Sequence, residues 1–267
     1  MNTFPVSQNP VIRARQTQDM TQVRAALAHP QTTDQHRQSA LLYACAQQDE
    51  MLFDATLPIV SAAILPTAIQ WAVFHGNVRQ LLHLLPLVSD KKPATQWMCD
   101  ACTQGHKKTL DCLMQWAPPT PAHRQKIVAA AAQSSKIQGT WLPELAQDLE
   151  ISSIWSHVFS LACFSGQAES VAWLLASPHK PQAPQQNILN ACLAATEADH
   201  SDLVCALLPY LQEPETVCTV FEKACARGNE ELMTRLFPSV SPHPTSNALK
   251  YVCANPHLGD RWAQALL

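Results

Sequence analysis

The chain has 267 residues, 47% of them hydrophobic and only 15% charged, with a formal net charge of −3. This composition supplies ample core material and argues against disorder. The charge balance, with Lys91-Lys92 and Lys107-Lys108 as isolated basic pairs, removes the footprint that nucleic-acid binding requires. No window approaches a membrane span and the first residues lack a signal-type apolar stretch, so the expectation is a cytoplasmic chain without a membrane partner. Export by specialised machinery stays open.

One segment recurs along the chain. After a tail at residues 1–10, a partial copy ends in Val23 to Leu27, and a second copy has its alanine anchor near Ala44. Four strong copies align without gaps, starting at Ala68, Met98, Phe159 and Phe221. Each has an alanine anchor (Ala72, Ala101, Ala162, Ala224), a glycine four residues later (Gly76, Gly105, Gly166, Gly228), and an apolar pair eight and nine residues after that. Four of the six glycines thus share one repeat position. Weaker copies have anchors near Ala131, Ala195 and Ala254, and the stretch 129–157 is the least regular.

Within a copy, Ile69, Ala72 and Val73 fall three and four apart and make one apolar helical face. The glycine ends that helix in a left-handed conformation, and Leu81, Leu84 and Leu85 form the face of an antiparallel second helix. Leu57-Pro58, Leu85-Pro86, Leu208-Pro209 and Phe237-Pro238 are expected to close second helices. The fold class predicted is all-α: about eight or nine stacked helix pairs sharing one core, because a lone pair of ten-residue helices cannot offset its ordering entropy.

These residues resemble the ankyrin-repeat family. Gly105-His106 and Val171 to Leu175 match the family's turn and second helix, and Thr67 to Ala72 is similar to its Thr-Pro-Leu-His-x-Ala opening with proline and histidine replaced. The resemblance covers roughly residues 11 to 267 as a single repeat domain. Most copies lack the opening motif and the glycine-rich finger, and other helical-hairpin repeats stay open. The resemblance implies a non-catalytic, monomeric scaffold or adaptor that binds another protein on a concave face lined by first-helix residues.

Carried over residue by residue, that face holds Tyr43, Trp71, Phe74, His75, Phe164 and Arg227, with Gln47, Asp100, Gln104, Leu161, Lys223 and Tyr251 beside them. Large aromatics on a wetted face are the anchors interfaces favour. The competing reading has these rings covering a neighbouring copy or residues 1 to 16 folded back. The loop from Pro178 to Gln186 is a candidate second contact.

Chemistry finds less support. Cys45, Cys102, Cys163 and Cys225 each follow an anchor alanine, a packing position. Cys99, Cys102, His106 and Cys112 have donors suited to zinc but no second Cys-x-x-Cys pair, and no phosphate loop is present. No metal, cofactor or catalytic residue is therefore expected. Two alternatives are an inhibitor that occupies a target enzyme's active site, and a small hydrolase or transferase within 129–157.

Overall fold

The computed structural model describes residues 9–136, 141–147, 149, 152–177, 185–211, 213–240, 246–255, 258, 262 and 264–265. The chain is all-helical, with no strand among these residues, and it divides into two units, Met1–Thr120 and Pro121–Leu267. Among the described residues, no helix is long and apolar enough to cross a membrane.

The first unit contains α1 (Pro10–Gln16), α2 (Met20–Ala28), α3 (Asp34–Gln47), α4 (Glu50–Thr56), α5 (Leu65–Phe74), α6 (Val78–Leu84), α7 (Ala94–Gln104) and α8 (Lys107–Trp116). Helix starts are chemically marked. Asn9 accepts from the amides of Val11 and Ile12 with Pro10 at the first turn, Thr33 and His36 form a reciprocal capping box, and Asp19 and Asp49 cap α2 and α4. Each odd helix packs on the even one that follows. Odd helices also pack on each other in chain order, α1 on α3, α3 on α5 and α5 on α7. The face they share is built from small residues, and Ala44, Ala72 and Ala101 have no exposed surface, as have Cys45 and Cys102.

The second unit contains α9 (Pro121–Gln133), α10 (Trp141–Ala146), α11 (Trp155–Phe164), α12 (Ala168–Ala176), α13 (Gln185–Glu197), α14 (Ser201–Leu207), α15 (Pro214–Arg227), α16 (Glu230–Val240) and α17 (Ser246–Ala254). It follows the same scheme, α9 against α11, α11 against α13, α13 against α15 and α15 against α17. Its largest fully buried side chain is Trp155, stacked on Phe159 with centroids 4.5 Å apart and donating from Nε1 to the Leu174 carbonyl at 3.2 Å. The irregular stretch contains α10, only six residues long, with Leu142, Leu145 and Ala146 buried. Gly139 lies outside the described residues.

Among the described residues, seven turns between paired helices have one geometry. A residue with positive φ is followed by a residue that precedes the second helix: Gln18-Asp19, Gln48-Asp49, Gly76-Asn77, Gly105-His106, Gly166-Gln167, Asp199-His200 and Gly228-Asn229. Four of these are the glycines singled out by the sequence; Gln18, Gln48 and Asp199 adopt the same left-handed backbone without glycine's freedom.

Two local expectations are corrected. Pro58, Pro86 and Pro209 sit in 3-10 turns that end second helices, but Pro238 lies inside α16, which continues to Val240. Burial of Leu236 and Val240 holds the last turn despite the missing N–H. The anchor expected near Ala254 is not one: Ala254 is exposed, and Ala248 and Val252 are buried instead.

Candidate functional site

The turns also link successive helix pairs. In the first unit, the His106 ring lies over Gly76, where an added Cβ would come within 2.7 Å of Nδ1, and Nε2–H donates to the Phe74 carbonyl at 3.1 Å. Gly76, at φ +72°, is needed twice, for its backbone conformation and for the space the ring fills. The second unit repeats the arrangement. His200 lies over Gly166 and donates from Nε2 to the Phe164 carbonyl at 3.0 Å. Elsewhere a carboxamide makes the link: Asn77 Nδ2 donates to the Cys45 carbonyl, Gln80 Nε2 to Ala44 at 3.0 Å, and Gln167 Nε2 to Ala131 at 2.8 Å and Ser134 at 2.6 Å. Each of these adds a donor to carbonyls at the end of a first helix, Ala44 and Ala131 accepting it beside a backbone amide.

Trp71, Phe74 and His75 form one cluster at the end of α5. The Trp71 and His75 rings stack at 5.6 Å, and Phe74 meets His75 edge-on at 5.3 Å. All three are half-buried. Burial, followed by the charge of His106, lowers the His75 pKa from its ordinary value, so the neutral ring that stacks on Trp71 is the favoured form.

Tyr43, expected beside them, is half-buried on α3 and lines a cavity of about 540 Å³ that none of those three lines. Its other walls are Arg15, Gln16, Gln18, Gln47, Gln48, Asp49, Glu50 and Met51. Of these walls the sequence reading placed only Gln47 on the binding face. The available signal was a pair of Gln-Asp dipeptides, Gln18-Asp19 and Gln48-Asp49, spaced like the glycines.

Phe164 and Arg227 belong to the second unit. Phe164, half exposed at 50%, occupies the same turn position as Phe74, two residues before the glycine. Arg227 is exposed and reaches Asp199 at 3.5 Å, while Lys223 reaches Glu197 at 3.7 Å. Such exposed pairs contribute little to stability and leave both cations open to a partner's carboxylate. A smaller apolar cavity, about 280 Å³, lies between α12 and α14 and includes Val171, Leu203 and Tyr210. Of the loop expected as a second contact, Pro178 to Gln186, residues 178–184 lie outside the described residues, and Gln185 and Gln186 begin α13.

The thiols that follow the anchor alanines are inert by environment. Burial pushes Cys45, Cys102 and Cys225, with Cys192, up to about 12, and raises Cys163 as well. Cys253 is exposed. Mass-mapped maleimide labelling at pH 8 is expected to modify Cys253 first and these five cysteines only on unfolding; fast native labelling of any of the five would contradict the burial. Among the described residues, no three His, Cys, Asp or Glu side chains converge in a group able to hold a metal ion.

No protein-family model matches the sequence, and no curated protein matches it significantly.

Proposed function

We propose that the helix pairs form an ankyrin-like solenoid of about eight or nine repeats, and that the chain is a non-catalytic scaffold binding another protein through its first-helix and turn residues. The observation that carries this reading is the aromatic cluster at Trp71, Phe74 and His75, half-buried yet reachable, at the end of a first helix. Support also comes from the order of packing within each unit, first helices on first helices, and from the turn geometry repeated every 28 to 33 residues wherever neighbouring copies both have it. The proposed working form is a cytoplasmic monomer, with Phe164 and Arg227 as further contacts.

The test compares the wild-type chain with a Tyr43→Ala, Trp71→Ala, Phe74→Ala triple variant, matched for helicity and melting, in affinity capture from native lysate and then in titration with the purified partner. Aromatic hot spots typically contribute 2 kcal/mol or more, so affinity is expected to fall about 30-fold or more. Equal affinity of the folded variant would remove these rings from the binding surface.

A further inference from the structure

The cavity beside Tyr43 has a chemistry of its own. Its charges are already matched: Arg15 Nε donates to Asp49 Oδ2 at 2.5 Å, and Glu50 pairs with Arg79 at 2.5 Å. An ionic ligand would have to compete with one of these pairs. What is left to meet an occupant is neutral: four exposed carboxamides, on Gln16, Gln18, Gln47 and Gln48, the Tyr43 hydroxyl and the half-exposed Met51. A carboxamide offers an acceptor oxygen and two N–H donors, so it can pair with the N–H and C=O of a peptide main chain or with an Asn, Gln, Ser or Thr side chain.

Backbone conformation supports the same assignment. Gln18 and Gln48 sit at φ 61° and 57°, where four equivalent turns have glycine. Asp199, the third non-glycine at this position, offsets its strain within the fold, since its carboxylate accepts from Asn229 Nδ2 at 3.4 Å and pairs with Arg227. Among the described residues, neither glutamine side chain has a hydrogen-bond partner, and both line the cavity. At both turns the left-handed backbone caps the preceding helix, Gln18 N–H donating to the Arg15 carbonyl and Gln48 N–H to that of Ala44, while the side chains gain no bond within the fold, which fits side chains retained for an external contact.

We propose that this cavity binds an extended, uncharged polar segment of a partner polypeptide, read by the four glutamine carboxamides and Tyr43. The inference rests on the interaction-scaffold reading and names the partner chemistry at one end of it. The cavity, about 540 Å³, is a depression open to solvent, as a contact with one stretch of a partner chain requires. Anionic, cationic and lipid ligands are disfavoured, because the lining has neither an unmatched charge nor a continuous apolar wall.

The experiment uses the full chain and a displayed random-heptapeptide library. Heptapeptides enriched on the wild type are expected to carry Asn, Gln, Ser or Thr and no net charge. A synthetic, end-capped representative is expected to bind at least tenfold more weakly to a Gln18→Gly, Gln48→Gly variant. That variant should fold and melt higher, by about 2–4 °C per relieved turn, so weaker binding would not reflect misfolding. A Gln18→Asn, Gln48→Asn variant, which keeps carboxamides in a residue that tolerates the left-handed backbone, should bind within a few-fold of wild type. Enrichment of charged heptapeptides, no enrichment, or equal binding to the glycine variant would each overturn the proposal. Peptides lost on Trp71→Ala, Phe74→Ala but retained by the glycine variant would overturn it while leaving the scaffold reading standing.

Discussion

Replacing Trp155 by alanine is expected to destabilise the chain by about 3–5 kcal/mol, the largest effect of any single substitution considered. The side chain has no exposed surface, its ring stacks on Phe159 with planes 16° apart, and its Nε1–H satisfies the Leu174 carbonyl on α12. Truncation therefore opens a cavity between α11 and α12 and leaves a backbone acceptor unpaired. Whole-domain stabilities are about 5–15 kcal/mol, so the loss would take a large share. The check is denaturant unfolding followed by far-ultraviolet circular dichroism, with a lowered midpoint at unchanged slope as the expected signature. Trp155→Phe keeps most of the ring contact and loses the donor, so a cost of about 1–2 kcal/mol is expected. If both variants melted like wild type, Trp155 would not be holding α11 against α12.

Gly76→Ala is expected to cost about 2–3 kcal/mol, and part of that cost should vanish when His106 is also removed. The left-handed φ alone costs an alanine about 1–2 kcal/mol. The remainder arises because the new methyl group occupies the space of the His106 ring and breaks the Nε2–H bond to the Phe74 carbonyl, worth about 1 kcal/mol. His106→Ala by itself loses the bond and the ring contact without a clash. In a double-mutant cycle the two changes should therefore be sub-additive by about 1 kcal/mol. Strict additivity would mean that the histidine does not hold the α7–α8 pair to the turn before it. The same cycle at Gly166 and His200 should give the same sign, because the geometry there is the same.

Much of the architecture was legible because its causes are local. Apolar residues three and four apart identify a helix face whatever surrounds it, and Gly76, Gly105, Gly166 and Gly228 have the left-handed backbone that their spacing predicted. The anchor alanines before them, and the cysteines one residue later, are buried because only small side chains fit where first helices pack together.

The candidate site was less legible. Tyr43 precedes an anchor just as Trp71 does, yet it lines a cavity with residues from α1 and the α3–α4 turn, while Trp71 stacks on His75. Phe74 and Phe164 share a repeat position, but the first is half-buried and the second half exposed. Gln18 and Gln48 carry no residue-type signal for the left-handed conformation they adopt.

The sequence by itself determined the helical periodicity, the glycine turns and the small-residue packing positions, since propensity and turn stereochemistry act over a few neighbouring residues. Only the tertiary structure decided that Pro238 stays helical and Ala254 is exposed. It alone also showed that the His106 ring fills the space above Gly76 and that two glutamine turns border one cavity. The last two outcomes depend on partners about 30 residues away, and periodicity says nothing about which side chain a neighbouring helix pair places there.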